Sequence, residues 1–530
     1  MPNLTGWKPD DTDFWKNTGN RYVRHLPILQ LILLLAGSSV WMGWSVLSAL
    51  MADSSWGFSP QELFSLIYIA GFSGAALRLC GRFLVFQLGT RAVIWSGIIG
   101  IWISLIAIFW VFKESNTPLW AFRIAAACCG FGAVLLPKIT SINRYIYPRR
   151  MRFISQEIPL GLGDAGLILI MVMIPTIIYW NPPLKNIFTE YVLIHDSSNL
   201  IGVIHEGHGL WFQWLILPIA GMCLLAAWLN RFSPAVNIQN MMLMRSAGIF
   251  SWGRSWLLLL LVILASIAMP YVSNNSMITG AFPAVREMSI FIVIFLVIFA
   301  MQNLAGNQIF AEQQLKALAN REVHILALMY LMGHGSFLGL SVSLPLLTDL
   351  IFSYIPTDGH TGSRINPAAP SILSYCWIGP LLGLSARAAG SWMSKHINPG
   401  KIHQVALFAL FLSTVGMALT ITSALSSPNP EFYFFRFYMI TLLFFIASGM
   451  SSGSITSLAI KKIPANYADH SLIWIISISS FGFFYIPALF ADHWQSAGPA
   501  AVLSGLSIFY LTGMIINWFF YWRKGEESLS

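Results

Sequence analysis

Long apolar stretches dominate the chain, and short polar loops separate them. A helix that crosses a bilayer needs about 20 mostly apolar residues, so each stretch predicts one membrane span. The pattern therefore predicts an all-α polytopic membrane protein of about fourteen transmembrane helices. The predicted spans are 27–51, 62–87, 93–112, 118–138, 157–180 and 207–230, then a middle pair at 255–273 and 286–304, then 324–348, 370–393, 402–424, 433–456, 468–490 and 498–521.

Basic residues are concentrated in every second loop along the chain. One side of the predicted membrane receives 21 of the 30 lysines and arginines, including Lys138 at the end of its span. Cytoplasmic loops are enriched in Lys and Arg, so this side is predicted to be cytoplasmic and to hold both termini. A count wrong by one helix would destroy the alternation.

The order of the spans suggests two related halves. It predicts a cytoplasmic segment at 1–26, a six-helix bundle at 27–230 and a second bundle at 324–530. The linker at 231–323 would carry the two inserted helices, which either fill the junction between the bundles or contact another copy. Transporters are commonly built from such halves, with the substrate site near the middle of the membrane.

Composition supports a membrane protein and excludes other classes. Hydrophobic residues make up 56% of the 530 residues, charged residues only 10%, and the mean hydropathy is +0.68. The net charge of +9 is spread over short loops, which indicates membrane orientation and argues against a nucleic-acid partner. All five cysteines fall in apolar stretches without metal-ligand spacing, so neither a metal nor another cofactor is predicted. The polar N-terminal stretch does not resemble a cleavable signal peptide.

A membrane enzyme and a receptor built on a transporter scaffold are the alternative classes. The loop after the fifth span carries a group of side chains that could bind zinc, but their spacing matches no standard site. The cytoplasmic linkers are short and carry no signalling domain. Transport is therefore favoured over both alternatives. The loop residues are His195, Asp196, His205, Glu206 and His208.

Three arginines lie inside predicted spans: Arg78 and Arg82 in the second span and Arg387 in the span at 370–393. A central arginine costs about 2.5–3.5 kcal/mol on insertion scales, which points to a function or to an ion pair. Arg82 lies nearer the cytoplasmic end and is expected to reach the interface. Arg78 and Arg387 occupy corresponding helices of the two halves, and their planar guanidinium groups match a small planar oxyanion.

Five segments, in order along the chain, carry a family resemblance. They are Gly6–Trp15, Ser73–Arg78, Tyr330 with Gly335–Gly339, Gly379–Gly390 and Ser448–Ser454. In these segments the chain resembles the nitrate/nitrite porter family of the major facilitator superfamily. The resemblance implies two six-helix bundles that work by alternating access in a bacterial inner membrane. It also implies that a small anion, nitrate or nitrite, binds to the two buried arginines.

The chain departs from the family pattern at several positions. The glycine-rich segment Gly161–Gly166 carries Asp164 where the family has asparagine. Leu136 and His334 stand where the family has aromatic residues that sandwich the anion. Lys395 stands where the family has an acidic residue in a loop. The resemblance of the scaffold is therefore stronger than that of the substrate site.

One face of the span at 324–348 is predicted to line the site. Tyr330, His334 and Phe337 are spaced i, i+4 and i+7, which places them on the same face of a helix. The glycines around Gly163 either allow close helix packing or let the substrate approach the backbone, and both interpretations remain open.

Asp164 is the departure with the clearest chemical consequence. A carboxylate in a helix interior needs a partner or a proton, and with arginines nearby we expect its ionised form at rest. One hypothesis is that Asp164 and His334 carry protons that couple anion uptake to the proton gradient. The other is a different organic anion or a zwitterion that bridges Arg387 and Asp164.

Overall fold

A computed structural model describes most of the chain. The described residues are 7–54, 56–88, 90–180, 188–194, 197–198, 202–233, 260–261, 264–265, 268, 285–303, 315–356, 363–464 and 468–523. The predicted span at 255–273 lies largely outside them, as do His195, Asp196 and the side chain of Arg82.

The described residues are almost all helical. Eleven of the helices are long and apolar enough to cross a membrane. These spans, together with α7 and α9, coincide with thirteen of the predicted stretches. The helices are α1 Leu26–Ala52, α2 Pro60–Leu88, α3 Thr90–Val111, α4 Leu119–Asn143, α5 Arg152–Ile177, α6 Phe212–Asn230, α7 Val285–Asn303, α8 Arg321–Phe352, α9 Ile378–Met393, α10 Pro399–Leu425, α11 Phe434–Lys462, α12 His470–His493 and α13 Gly498–Trp522.

These helices confirm the polytopic α-helical class. The total of fourteen spans and the cytoplasmic position of both termini stay predictions. The strands that the structure describes are short and form two-stranded antiparallel sheets, β1 with β4, β2 with β3 and β5 with β6. Their bounds are β1 Tyr191–Val192, β2 Ser197–Ser198, β3 Val203–Ile204, β4 Gly209–Leu210, β5 Tyr354–Pro356 and β6 Ser363–Ile365.

The chain forms two compact units. The first comprises residues 1–42, 69–169 and 215–315, and the second comprises 43–68, 170–214 and 316–530. Both therefore contain segments that are distant in sequence. The bundle boundaries 27–230 and 324–530 stay a prediction.

Close backbone packing organises the first unit. A Cβ atom at Gly132 of α4 would overlap the carbonyl oxygen of Gly37 in α1, so only glycine allows this approach. Between α1 and α4, the amide of Gln30 donates to the Asn143 side chain at 2.6 Å. The Asn143 amide donates to the carbonyl oxygen of Ser155 at 2.7 Å. These bonds satisfy buried polar groups and join α1, α4 and α5.

The structure corrects the position of Lys138. The sequence placed it at the cytoplasmic end of a span, but α4 runs on to Asn143 and Lys138 lies within it, buried. Its ammonium group donates to the hydroxyl of Ser96 in α3 at 2.9 Å. The helix extends further because Ile139 and Ile142 continue its buried apolar face at helical spacing.

Aromatic side chains pack together in the second unit, where the start of α2 meets the end of α12. Phe64 stacks on Phe490 with ring centroids 5.7 Å apart and lies 5.9 Å from the Trp494 ring. Tyr68 meets Phe484 edge to face at 5.9 Å. We call these five residues the aromatic cluster. In the predicted orientation it lies at the end of the helices away from the cytoplasm.

Candidate functional site

Arg78 is held by two neighbouring helices of the first unit. Its side chain is 1% exposed, within α2. Its Nε donates to the carbonyl oxygen of Ala133 in α4 at 3.2 Å. The indole ring of Trp41 in α1 covers the guanidinium group, with Cζ 4.2 Å from the ring centroid. Burial in a membrane helix thus coincides with a fixed orientation of the cation.

The local geometry of α4 explains the bond to Ala133. Residues Gly130–Val134 form a 3₁₀ segment within the helix. Such a segment departs from the regular i to i−4 ladder and changes where its carbonyl groups point. A Cβ at Gly130 would overlap the Ser73 side chain, so glycine lets this segment lie directly against α2. The sequence therefore brings an acceptor of α4 beside the arginine of α2.

The two glycines around Asp164 have different surroundings. Asp164 lies buried in α5. A Cβ at Gly163 would lie in ordinary contact, 3.5 Å from the side chain of Leu136. A Cβ at Gly166 would instead overlap Ser38 of α1, while the Ser39 hydroxyl donates to the Gly166 carbonyl at 3.0 Å. Close packing therefore requires glycine at 166 and does not require it at 163.

We expect substitutions of these glycines to separate packing from function. Gly163→Ala should keep a melting temperature within a few degrees of wild type, because the added methyl group fits. Gly166→Ala should lower it clearly, because overpacking a core costs typically about 1–3 kcal/mol. Thermal unfolding of the purified variants in detergent measures both. Equal losses of stability would show that both glycines serve packing.

In the second unit, three rings form a stack on one face of α8. The rings of Tyr330 and His334 lie 5.0 Å apart, and those of His334 and Phe337 lie 6.0 Å apart and nearly parallel at 13°. The shared face agrees with the spacing of these residues. Residues Leu331–Gly335 form a π-helical turn, a feature that often occurs at functional sites.

Arg387 lies in α9 next to this stack. It is 5% exposed. One helical turn earlier, a Cβ at Gly383 would press on the Phe337 ring, which places the ring stack beside the same helix. On the α11 side, a Cβ at Gly453 would overlap the Arg387 carbonyl oxygen, and a Cβ at Gly449 would overlap that of Gly383. These glycines therefore allow the backbone of α9 at Arg387 to lie close against α11.

The predicted site residues divide between the two units. Arg78, Gly163 and Asp164 belong to the first, and Tyr330, His334 and Arg387 to the second. Within the first, Arg78 contacts Ala133 and Gly163 faces Leu136, which lie within one turn of α4. Within the second, Phe337 connects the stack to the helix of Arg387. Their role in binding substrate stays a prediction.

Sequence reasoning missed two features near these residues. Trp41 covers Arg78, although its local sequence does not distinguish it from the other tryptophans of the chain. His403 of α10 is fully buried, and its Nδ1 lies 3.0 Å from the hydroxyl of Ser451 in α11. Ser451 in turn lies against Gly333 of the π turn. Neither feature has a local signal strong enough to identify it without the tertiary contacts.

The loop between α5 and α6 is tied to the neighbouring helix ends by hydrogen bonds of its described residues. Nε2 of His208 lies 3.1 Å from the carbonyl oxygen of Tyr179. Backbone groups of the loop also pair with Asp53 and Ser54 at the end of α1. Among the residues that the structure describes, no three His, Cys, Asp or Glu side chains are arranged to hold a metal ion.

Curated relatives align with the chain over nearly its whole length. A probable nitrate/nitrite antiporter of Thermus thermophilus is 23% identical over 529 residues, which cover 99% of this chain and 98% of the relative. A nitrate/nitrite transporter of Salmonella typhimurium is 21% identical, covering 99% and 97%, and one of Escherichia coli is 22% identical, covering 98% and 96%. No known protein-family profile matches the chain.

Solved transporter structures share the fold. A POT-family peptide transporter in complex with sulfate has a TM-score of 0.59 at 13% identity, covering 99% of this chain and 98% of its own. The xylose transporter XylE of Escherichia coli, in a partially occluded inward-open conformation, has a TM-score of 0.56 at 11% identity, covering 94% and 98%.

These comparisons confirm the resemblance found in the five sequence segments. The chain is a multi-pass membrane protein with the major-facilitator fold, and it is similar throughout to nitrate/nitrite transporters.

Proposed function

We propose that the protein is a secondary active transporter of nitrate or nitrite in the bacterial inner membrane, working by alternating access. The observation that carries the proposal is that both predicted arginines, Arg78 and Arg387, are buried within membrane helices. The full-length similarity to nitrate/nitrite transporters supports the same substrate and argues for transport rather than enzymatic catalysis.

The chemistry of the arginines favours a small oxyanion. A guanidinium group remains protonated even when it is buried, so it needs negative charge or hydrogen-bond acceptors around it. Its planar fork of donors can bind two oxygens of a planar anion at once. Nitrate and nitrite are planar, carry one negative charge and offer at least two oxygens in one plane. We therefore assign both arginines as substrate-binding residues.

His334 and Asp164 are two of the departures from the family pattern, and both can carry a proton. His334 lies between two aromatic rings in the π turn of α8. A histidine can gain and lose a proton near neutral pH, whereas an aromatic hydrocarbon cannot. We propose that these two residues bind protons and couple anion uptake to the proton gradient. Transport of another organic anion or a zwitterion is the alternative, which the similarity to nitrate/nitrite transporters does not favour.

Uptake into proteoliposomes tests the proposed substrate. Reconstituted wild-type protein should accumulate nitrate and nitrite, and excess unlabelled nitrate should compete with labelled nitrite. Loading the vesicles with nitrite and measuring nitrate entry without a proton gradient tests exchange. A panel of chloride, formate and betaine serves as the comparison. Transport of a panel member by folded protein, with neither nitrate nor nitrite taken up, would overturn the proposal.

Asp164→Asn tests proton coupling. We expect wild-type nitrate uptake to rise with an inward proton gradient, by up to about tenfold at equilibrium for each coupled proton and each pH unit. The variant should still exchange nitrate for nitrite but lose most of this dependence, because asparagine cannot bind a proton. His334→Phe is a second variant that removes a titratable group and keeps a ring in the stack.

The ratio of uptake with and without the gradient is the measurement. A ratio near one in Asp164→Asn, with exchange preserved, supports coupling through this carboxylate. Loss of all transport in the variant, together with uptake of a zwitterion by wild type, would support the alternative substrate.

A further inference from the structure

Trp41 lies along a single face of α2. Its indole Nε1 donates to the Ala70 carbonyl oxygen at 2.8 Å, and its ring covers the Arg78 guanidinium group. Between these two contacts, a Cβ at Gly74 would overlap the indole nitrogen. Ala70, Gly74 and Arg78 are spaced by four residues and therefore share a face of the helix. Glycine at 74 leaves the space that the ring occupies.

This arrangement fixes the ring at two points. The hydrogen bond anchors one edge of the indole to the α2 backbone, and the side chain is fully buried. The cation then rests on the face of the ring, an attraction that strengthens when both groups are removed from water. Tryptophan is the best of the three aromatic residues for this contact and the one with an N–H at its edge.

The two contacts fix Arg78 by its plane and by its Nε atom. Trp41 meets the guanidinium group through a π face, and the Ala133 carbonyl oxygen accepts the bond from Nε. Neither Trp41 nor the Ala133 carbonyl carries a formal charge, so these two contacts orient the cation without neutralising it.

We propose that Trp41 is a positioning residue for Arg78, which sets the plane of its guanidinium group for anion binding. The inference rests on the proposed function, in which Arg78 binds the transported anion. Gly74 and the Ala70 carbonyl oxygen contribute to the same positioning, because they determine where the indole ring can lie.

Chemical labelling tests the positioning without any reference to nitrate. Phenylglyoxal modifies guanidinium groups, and mass spectrometry can compare labelling of Arg78 with labelling of Arg387 in the same molecule. Trp41→Leu should raise the Arg78 to Arg387 labelling ratio several-fold, because the covering ring is gone. Gly74→Ala should do the same by displacing the ring. An equal rise at both arginines, or no change at Arg78, would contradict the proposal.

Transport kinetics test the consequence for anion binding. Trp41→Leu should raise the KM for nitrate about tenfold, within the range of a desolvated cation–π contact, with a smaller change in kcat. Trp41→Phe keeps a ring face and loses the N–H, so its KM should fall between wild type and Trp41→Leu. Trp44→Leu removes another fully buried tryptophan of α1 and is the matched control, with an unchanged KM.

A double-mutant cycle with Arg78→Lys separates positioning from packing. Nitrate binding is measured by calorimetry, so a dissociation constant can be obtained even for variants that show no uptake. If Trp41 acts through Arg78, Trp41→Leu should weaken binding much less in the Arg78→Lys background than in wild type. Equal effects in both backgrounds would overturn the proposal. If wild-type protein binds neither nitrate nor nitrite, the proposed function fails, and the labelling ratio alone decides the role of Trp41.

Discussion

Replacing Arg387 with lysine is expected to reduce nitrate uptake about a hundredfold or more. Lysine keeps the positive charge but loses the planar fork that binds two oxygens. A hydrogen bond to a charged group contributes about 1.5–3 kcal/mol, and 1.4 kcal/mol corresponds to a factor of ten. The loss of one or two such bonds therefore exceeds what a single mobile ammonium group recovers in this buried position.

Initial uptake rates and nitrate affinity of reconstituted Arg387→Lys provide the measurement. Arg436→Lys is the matched control, because Arg436 is exposed at the start of α11 and should tolerate lysine. Arg78→Lys should behave like Arg387→Lys if both arginines bind the anion. Uptake by Arg387→Lys within about threefold of wild type would show that recognition does not depend on the guanidinium fork.

Gly453→Ala should also abolish most transport, although it changes no charged group. The added methyl group would overlap the Arg387 carbonyl oxygen, so α9 and α11 must separate or rotate. Overpacking of this kind costs typically about 1–3 kcal/mol and displaces the backbone that carries Arg387. A displacement of about 1 Å can cost about a hundredfold in rate where geometry is tight. Gly449→Ala should have a similar effect, because its methyl group would overlap the carbonyl oxygen of Gly383, one turn before Arg387 in α9.

The chain offers matched controls for these substitutions. Gly221 in α6 and Gly505 in α13 lie within helices, and a Cβ at either would meet nothing within 4 Å. Alanine at these positions should leave uptake unchanged and raise stability slightly, by up to about 1 kcal/mol, because it favours the helix. If Gly453→Ala transports as well as Gly505→Ala at equal expression, close packing of α11 does not position Arg387.

Most of the fold was predictable because the bilayer imposes a strong rule on sequence. Apolar stretches of span length are visible without tertiary information, and the structure places helices at nearly all of them. The stretch at 370–393 is the instructive exception. The structure divides it into a four-residue helix at Ile372–Tyr375 and the 16-residue α9. Hydropathy does not register such a break, because the residues on both sides of it are apolar.

Only those residues of the candidate site whose charge is costly to bury in a membrane could be predicted from the sequence. Arg78 and Arg387 are conspicuous because charged residues are rare in membrane helices. Trp41 is one of 21 tryptophans, and nothing in its local sequence distinguishes the one that covers an arginine. The spacing of Ala70, Gly74 and Arg78 was visible, but its meaning depends on a ring supplied by another helix.

The π turn in α8 shows a different limit. Helical periodicity correctly placed Tyr330, His334 and Phe337 on one face, but it could not show that Leu331–Gly335 departs from α geometry. Glycines at 333 and 335 allow close approach of Ser451 and of α12, and these contacts come from distant segments. Tertiary packing therefore determines the turn.

The aromatic cluster ties the start of α2 to the end of α12. Each aromatic pair contributes about 0.5–1.5 kcal/mol beyond its buried area, so the three pairs stabilise this contact by about 1.5–4.5 kcal/mol. A conformation in which these two helices separate must offset that free energy, and its population falls by a factor of ten for about every 1.4 kcal/mol. Weakening the cluster would raise the population of such a conformation without changing any residue of the candidate site.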